Sequence, residues 1–298
     1  MLMRLRRVFM RLGGLPQSTL IVLLVGIIVL VSVSIIFTPL IPCAYTVLVG
    51  EREIQSTVDD LIADTTDPGV KIRRIMDWEV SNMINMYTAE SNFISGLPVI
   101  WHRNSENPSW VFFYKRGNCG EYATLFVKMA EIAGLEARKV YNYAEDHVWA
   151  EVGIGEEWMS VDSSVNMYIN PENFENERGI QMSYVYTIEG GELVDITSRY
   201  TETGTLVIRA TEDNVPVPGA EVTIKSKSLM GHSNRYPGAR SIVPSGLTSF
   251  TTGTDGSFTL DLGNNDYDIV VEYGGETINN PVTIEGGVET ILQCDFSR

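Results

Sequence analysis

RGNCGEYATLF, residues 116–126, sets a cysteine at the start of a helical pattern. Tyr122, Leu125, Phe126, Met129, Ile132 and Ala133 recur at helical spacing, and Gly134 is placed to end the helix. The positive end of a helix favours a thiolate, so Cys119 sits where a thiol is most easily ionised. Gly120 lets the backbone pack tightly beside it. The Cys119 N–H has no partner within the helix and is therefore a candidate oxyanion donor.

Working outward, three strand-like runs follow at 137–143, 147–153 and 158–163. A thiolate nucleophile needs a base, and the base needs a group to orient it. His147 lies in AEDHVWAEV and Asp162 in EEWMSVDSS. A hairpin around Ile154-Gly155 can set His147 directly opposite Asp162 and Trp149 opposite Ser160. Opposed residues share a face, with Cβ atoms about 5 Å apart. Asp162 then bonds one imidazole nitrogen and leaves the other for Cys119. A slip of one residue destroys the arrangement. The candidate catalytic residues are Cys119, His147 and Asp162.

At these residues the chain resembles the transglutaminase-like superfamily, which carries Cys at a helix start, then His and Asp on adjacent strands. The motif G-x-C-x-x-x-A is matched from Gly117 to Ala123. Its sequel G-(I/L/F)-x-A-R-x-V is matched from Gly134 to Val140. Within the superfamily the likeness is closest to the peptide N-glycanase core, on CGEYATLF, GLEARKVYNYAEDHVWAEV, WMSVDSS and MSYVYTIEGGELVDITSRY. It covers about residues 70–200. The resemblance implies an α+β, papain-like cysteine-enzyme core and thiol chemistry on amides through a thioester. It also implies an aromatic side chain near the oxyanion, for which Trp78, Trp101 and Trp110 are all candidates. One departure is plain: peptide N-glycanases carry paired CxxC zinc ligands upstream of the catalytic cysteine, and this chain has none.

The three cysteines, Cys43, Cys119 and Cys294, form no CxxC pair, and there are only three histidines. A disulfide framework, a structural zinc site and a multi-histidine metal centre are not expected, and no cofactor is implied. The net charge of −16 opposes nucleic-acid binding, which needs a basic face.

Arg4, Arg6, Arg7 and Arg11 precede an uncharged run from Leu12 to Gly50, almost wholly apolar from Leu20 to Leu40. About 20 such residues span a bilayer. A cleaved signal peptide has a shorter apolar region, and Pro42 before Cys43 spoils a lipoprotein site. The expectation is a basic cytoplasmic segment at 1–18, a transmembrane anchor at 19–41 and a juxtamembrane linker at 42–69. The catalytic domain follows outside the membrane at 70–202. That placement departs again from the peptide N-glycanases, which work in the cytosol. Helical spacing from Val70 places Ile72, Ile75, Met76, Val80, Met83 and Ile84 on one side, and residues 88–116 read as loop.

From 203 to 298 short alternating runs separated by Gly, Pro, Asn and Asp indicate a β-sandwich. VPGAEVTI, TTGTDGSFTLDL and YDIVVEYGG resemble the carboxypeptidase-regulatory or prealbumin-like sandwich. Such a module implies stability, spacing or partner binding. Residues 228–247, with Arg235, Tyr236 and Arg240, read as an inserted loop. Two functions fit: an enzyme acting on peptide, isopeptide or glycan-linked amides in protein, peptide or glycopeptide substrates, by hydrolysis or acyl transfer; or a non-catalytic surface binding protein that keeps the fold.

Overall fold

A computed structural model describes residues 16–37, 40–86, 93–94, 97–98, 104–227 and 238–296. The expected basic segment with its four arginines lies outside these residues, as do Trp101, Arg235 and Tyr236. Helix α1, Gln17–Phe37, covers most of the expected anchor and contains no charged residue. Side chains are described for only part of it. Among the described residues no helix is long and apolar enough to cross a membrane.

The stretch expected as a linker packs into the fold. Helix α2, Leu40–Tyr45, runs through a widened turn at Thr46–Gly50 into α3, Glu51–Ile62. Ile54 and Val58, one turn apart on α3, are completely buried in the core around the cysteine helix. Helix α4 spans Pro68–Asn82 rather than starting at Val70. Asp67 caps it by accepting the Val70 N–H at 2.9 Å, and Pro68 supplies a φ suited to the first helical turn. The stretch expected as loop contains α5, Pro108–Tyr114, which buries Trp110, Val111 and Phe112. Seven residues show too little periodicity to reveal a helix.

Helix α6, Cys119–Ile132, carries the cysteine, and Gly134 ends it in the left-handed region at φ 76°. Beside it lies a sheet of β1 Ala137–Asn142, β2 His147–Ile154, β3 Glu157–Asp162, β4 Met167–Ile169, β5 Tyr186–Glu189 and β6 Glu192–Asp195. Its order is β6-β5-β1-β2-β3-β4, antiparallel at every described pairing. Ala150, Val152 and Val161 pack with Leu125, Phe126 and Met129 of α6. The alternate positions Val140 and Trp149 pack with Phe174 of α7, Pro171–Arg178. Period-two alternation thus gives the sheet two different faces.

The remaining chain forms two sheets. In one, β7 Thr203–Glu212 pairs antiparallel with β9 Ser257–Gly263 and parallel with β12 Glu289–Phe296. In the other, β8 Glu221–Ser226, β10 Asn265–Tyr273 and β11 Glu276–Ile284 pair in that order. Leu206, Ile208, Ile224, Ile269 and Val271 fill the space between them, joined by Tyr184 and Tyr186 from the first sheet's side. Gly263 is the point of closest approach. Its N–H bonds Ser183 O at 2.9 Å, and a Cβ there would lie 2.0 Å from Met182 O.

Candidate active site

The start of α6 is built to hold Cys119. Glu121 reaches back so that its Oε2 accepts the Asn118 N–H at 2.9 Å. Gly117 makes room: a Cβ there would lie 2.2 Å from Glu121 Cβ. Cys119 is buried, and its thiol points at Asp146 O, 3.9 Å away, in the turn just before β2. Asp146 adopts a left-handed φ of 54°, uncommon outside glycine, which turns the chain into His147.

His147 and Asp162 are both buried, with Nε2 and Oδ2 2.7 Å apart. That bond leaves Nδ1 for Cys119. The register differs from the expected one by two residues. Glu151 faces Ser160 and Ala150 faces Val161, so Asp162 falls opposite Trp149 and diagonal to His147. A shift of two preserves the face, so the pair still meets. Diagonal neighbours on one face remain within reach of long side chains. Asp162 also accepts from the Ser164 N–H at 3.2 Å and from Arg178 Nε at 3.3 Å.

Burial alone would depress the imidazole pKa. The charge and hydrogen bond of Asp162 outweigh burial, and Cys119 adds to them, lifting His147 to about 9. Burial pushes the Asp162 carboxyl the other way, but His147, Ser164 and Arg178 hold it below the usual carboxylate range. The arrangement favours an imidazolium beside the Asp162 carboxylate, with Cys119 within reach of the ring.

Beneath the imidazole lies an aromatic floor. Trp149 stacks on His147 and on Phe174. Trp149 Nε1–H donates to Tyr200 Oη at 2.9 Å, and Tyr200 donates to Glu151 Oε1 at 2.7 Å. Glu151 also takes Arg138, with Nη2 to Oε2 at 2.6 Å, and Arg199 at 3.4 Å. Of these, Glu151 shares a strand face with His147 by simple alternation and was open to discovery in the sequence. Tyr200 and Arg178 arrive from segments with no local signal.

Residues 55–163 match the family model of the transglutaminase-like superfamily. The chain carries a transglutaminase-like domain. Over 126 residues, 42% of this chain, it is 32% identical to a peptide-N(4)-(N-acetyl-beta-glucosaminyl)asparagine amidase of Gallus gallus, covering 18% of that protein. A protein of the same description from Yarrowia lipolytica is 39% identical over 88 residues, covering 29% of this chain and 24% of the relative. The chain thus spans less than a quarter of the length of these relatives. Among solved structures, a putative cysteine protease from Cytophaga hutchinsonii aligns over 79% of this chain and 58% of its own, with 11% identity and a TM-score of 0.31.

Of the three tryptophan candidates, two lie among the described residues. Trp78 stacks on Phe112, with centroids 5.2 Å apart, and packs against the core, while Trp110 is buried on α5. Arg240, from the segment expected as a free loop, reaches across from the sandwich. Its guanidinium lies 3.9 Å from Asp146 Oδ1 and 5.5 Å from the Tyr143 ring. The sandwich therefore touches the turn that delivers His147.

Proposed function

We propose that the transglutaminase-like domain is a thiol enzyme that opens amide bonds, with Cys119 as nucleophile, His147 as base and Asp162 as orienting acid. The observation that carries this reading is the buried 2.7 Å contact of His147 with Asp162 beside the Cys119 thiol. His147 takes the thiol proton and the thiolate adds to the amide carbonyl carbon. The backbone N–H groups at the start of α6 point the way an oxyanion hole requires. Collapse breaks the C–N bond, His147 gives its proton to the leaving nitrogen, and a thioester remains. Water, deprotonated by His147, then adds to the thioester and releases the acid and the Cys119 thiol.

The relatives' names point to a glycopeptide or peptide substrate, with the glycan-bearing side-chain amide of asparagine as the first bond to try. We propose that the uncharged run at 19–41 holds the enzyme at a membrane. The side chains of Ile21–Val29 are exposed, as a lipid-facing helix requires. The arginines before it favour an N-terminus in the cytoplasm and the enzyme outside.

The test sets wild type beside Cys119→Ala on a glycopeptide, the same peptide without glycan, and an amine acceptor, with products read by mass. The expected result is conversion of the glycosylated asparagine to aspartate by wild type alone. Peptide cleavage or amine incorporation by wild type alone would keep the triad but move the substrate. Equal turnover by both proteins would sink the assignment.

A further inference from the structure

Helix α4 buries a stripe of Ile72, Ile75, Met76 and Glu79. Glu79 is completely buried, yet a carboxyl group is out of place in an apolar stripe. Among the described residues no positive charge offsets its own. The titratable groups facing it are Asp162 at the end of β3 and the Tyr122 phenol of α6, and Ser163 is its neighbouring hydroxyl. Among the described residues no lysine, arginine or histidine pairs with it. Neither Glu79 oxygen has a partner at full hydrogen-bond geometry, and neither does Ser163 Oγ. Two buried polar groups therefore face each other with their bonding unspent.

An isolated carboxylate in such a place does not stay ionised; it takes up a proton. Burial drives the Glu79 carboxyl well above the usual range, the Asp162 charge adds to this, and Ser163 opposes it. A protonated carboxyl gains what the anion lacks, an O–H to donate. Ser163 Oγ is the open acceptor beside it. Ser163 lies between Asp162, which holds His147, and Ser164, which bonds Asp162.

We propose that Glu79 is a positioning residue, held as a neutral carboxylic acid that donates to Ser163 and so pins the Asp162–Ser164 turn with Asp162 aimed at His147. This rests on the triad reading, since its consequence is the orientation of His147.

The experiment has one readout apart from turnover and one tied to the site. In a Cys119→Ala background, infrared spectra at neutral pH should contain a protonated carboxylic acid band that disappears in Glu79→Gln. His147 is then titrated by NMR in wild type, Glu79→Gln and Glu79→Leu. Glutamine keeps a neutral donor, so its titration should match wild type. Leucine removes the donor, so the His147 pKa should fall, and kcat should fall about tenfold with KM held, the scale of one lost positioning bond. Absence of the band would overturn neutrality. A Glu79→Leu variant that folds and titrates like wild type would overturn positioning. Failure of every amide substrate would sink the triad reading while leaving the infrared and NMR results to judge Glu79.

Discussion

The imidazole of His147 stacks on the indole of Trp149, with centroids 5.6 Å apart and planes 24° from parallel. The indole is itself fixed, by Phe174 at 4.6 Å on α7 and by its N–H to Tyr200 Oη. Three separate segments thus decide how the base is turned. A ring with two usable nitrogens is only useful when its tilt is set.

Tyr200→Phe tests that floor. It strands the Trp149 N–H and removes a donor to Glu151, both buried. A stranded buried polar group costs about 1–3 kcal/mol. Urea denaturation should show a loss of this size, with Cys119 still reactive toward iodoacetamide. Unchanged stability would show that Trp149 is held by stacking alone.

Asp162→Asn should change the charge of the site more than its shape. Without the carboxylate, burial acts on His147 with less opposition, and its pKa falls from about 9. The imidazolium is then lost at lower pH. The rate of Cys119 alkylation against pH should move its alkaline limb downward. A limb that stays in place would mean that Asp162 does not set the base.

His147 also links stability to pH. Its folded value of about 9 lies above the unfolded one of about 6.5. The folded state therefore holds the proton more tightly, so the contribution is complete below about pH 6.5 and is lost as pH rises through 9. Denaturation midpoints at several pH values should fall across that window in wild type and less steeply in His147→Gln. Parallel slopes would refute the link.

Arg240→Ala probes the arm of the sandwich that reaches Asp146. Partly exposed ion pairs contribute about 0.2–1 kcal/mol, so the fold should survive with at most about a fivefold change in rate. The measurement is the alkylation rate of Cys119, which should fall because the turn before His147 loosens. An identical rate would make the arm a bystander.

Much of the candidate site's geometry was legible because its residues lie on consecutive elements. Cys119 at a helix start and His147 and Asp162 on neighbouring strands each follow from local pattern. The register was two residues off because the turn lies at Gly155-Glu156, with Ile154 paired to Glu157. The shared face survived, since parity decides it. Glu51–Ile62 read as a linker because its buried Ile54 and Val58 are few among charged neighbours. Helix α5 was too short to display a period. Glu79 sits on the apolar side of α4, and only the completed fold removes water from it.

Tyr184 and Tyr186 belong to the same apolar cluster as Leu206 and Ile269. The region that matches the transglutaminase-like family ends at residue 163, before both tyrosines. The matched region is therefore smaller than the packed unit. Excising the recognisable piece would strip three strands from its sheet, and grafting another module after Thr201 would leave aromatic rings facing water. For protein engineering, the interchangeable cassette in this chain is nearly the whole of it.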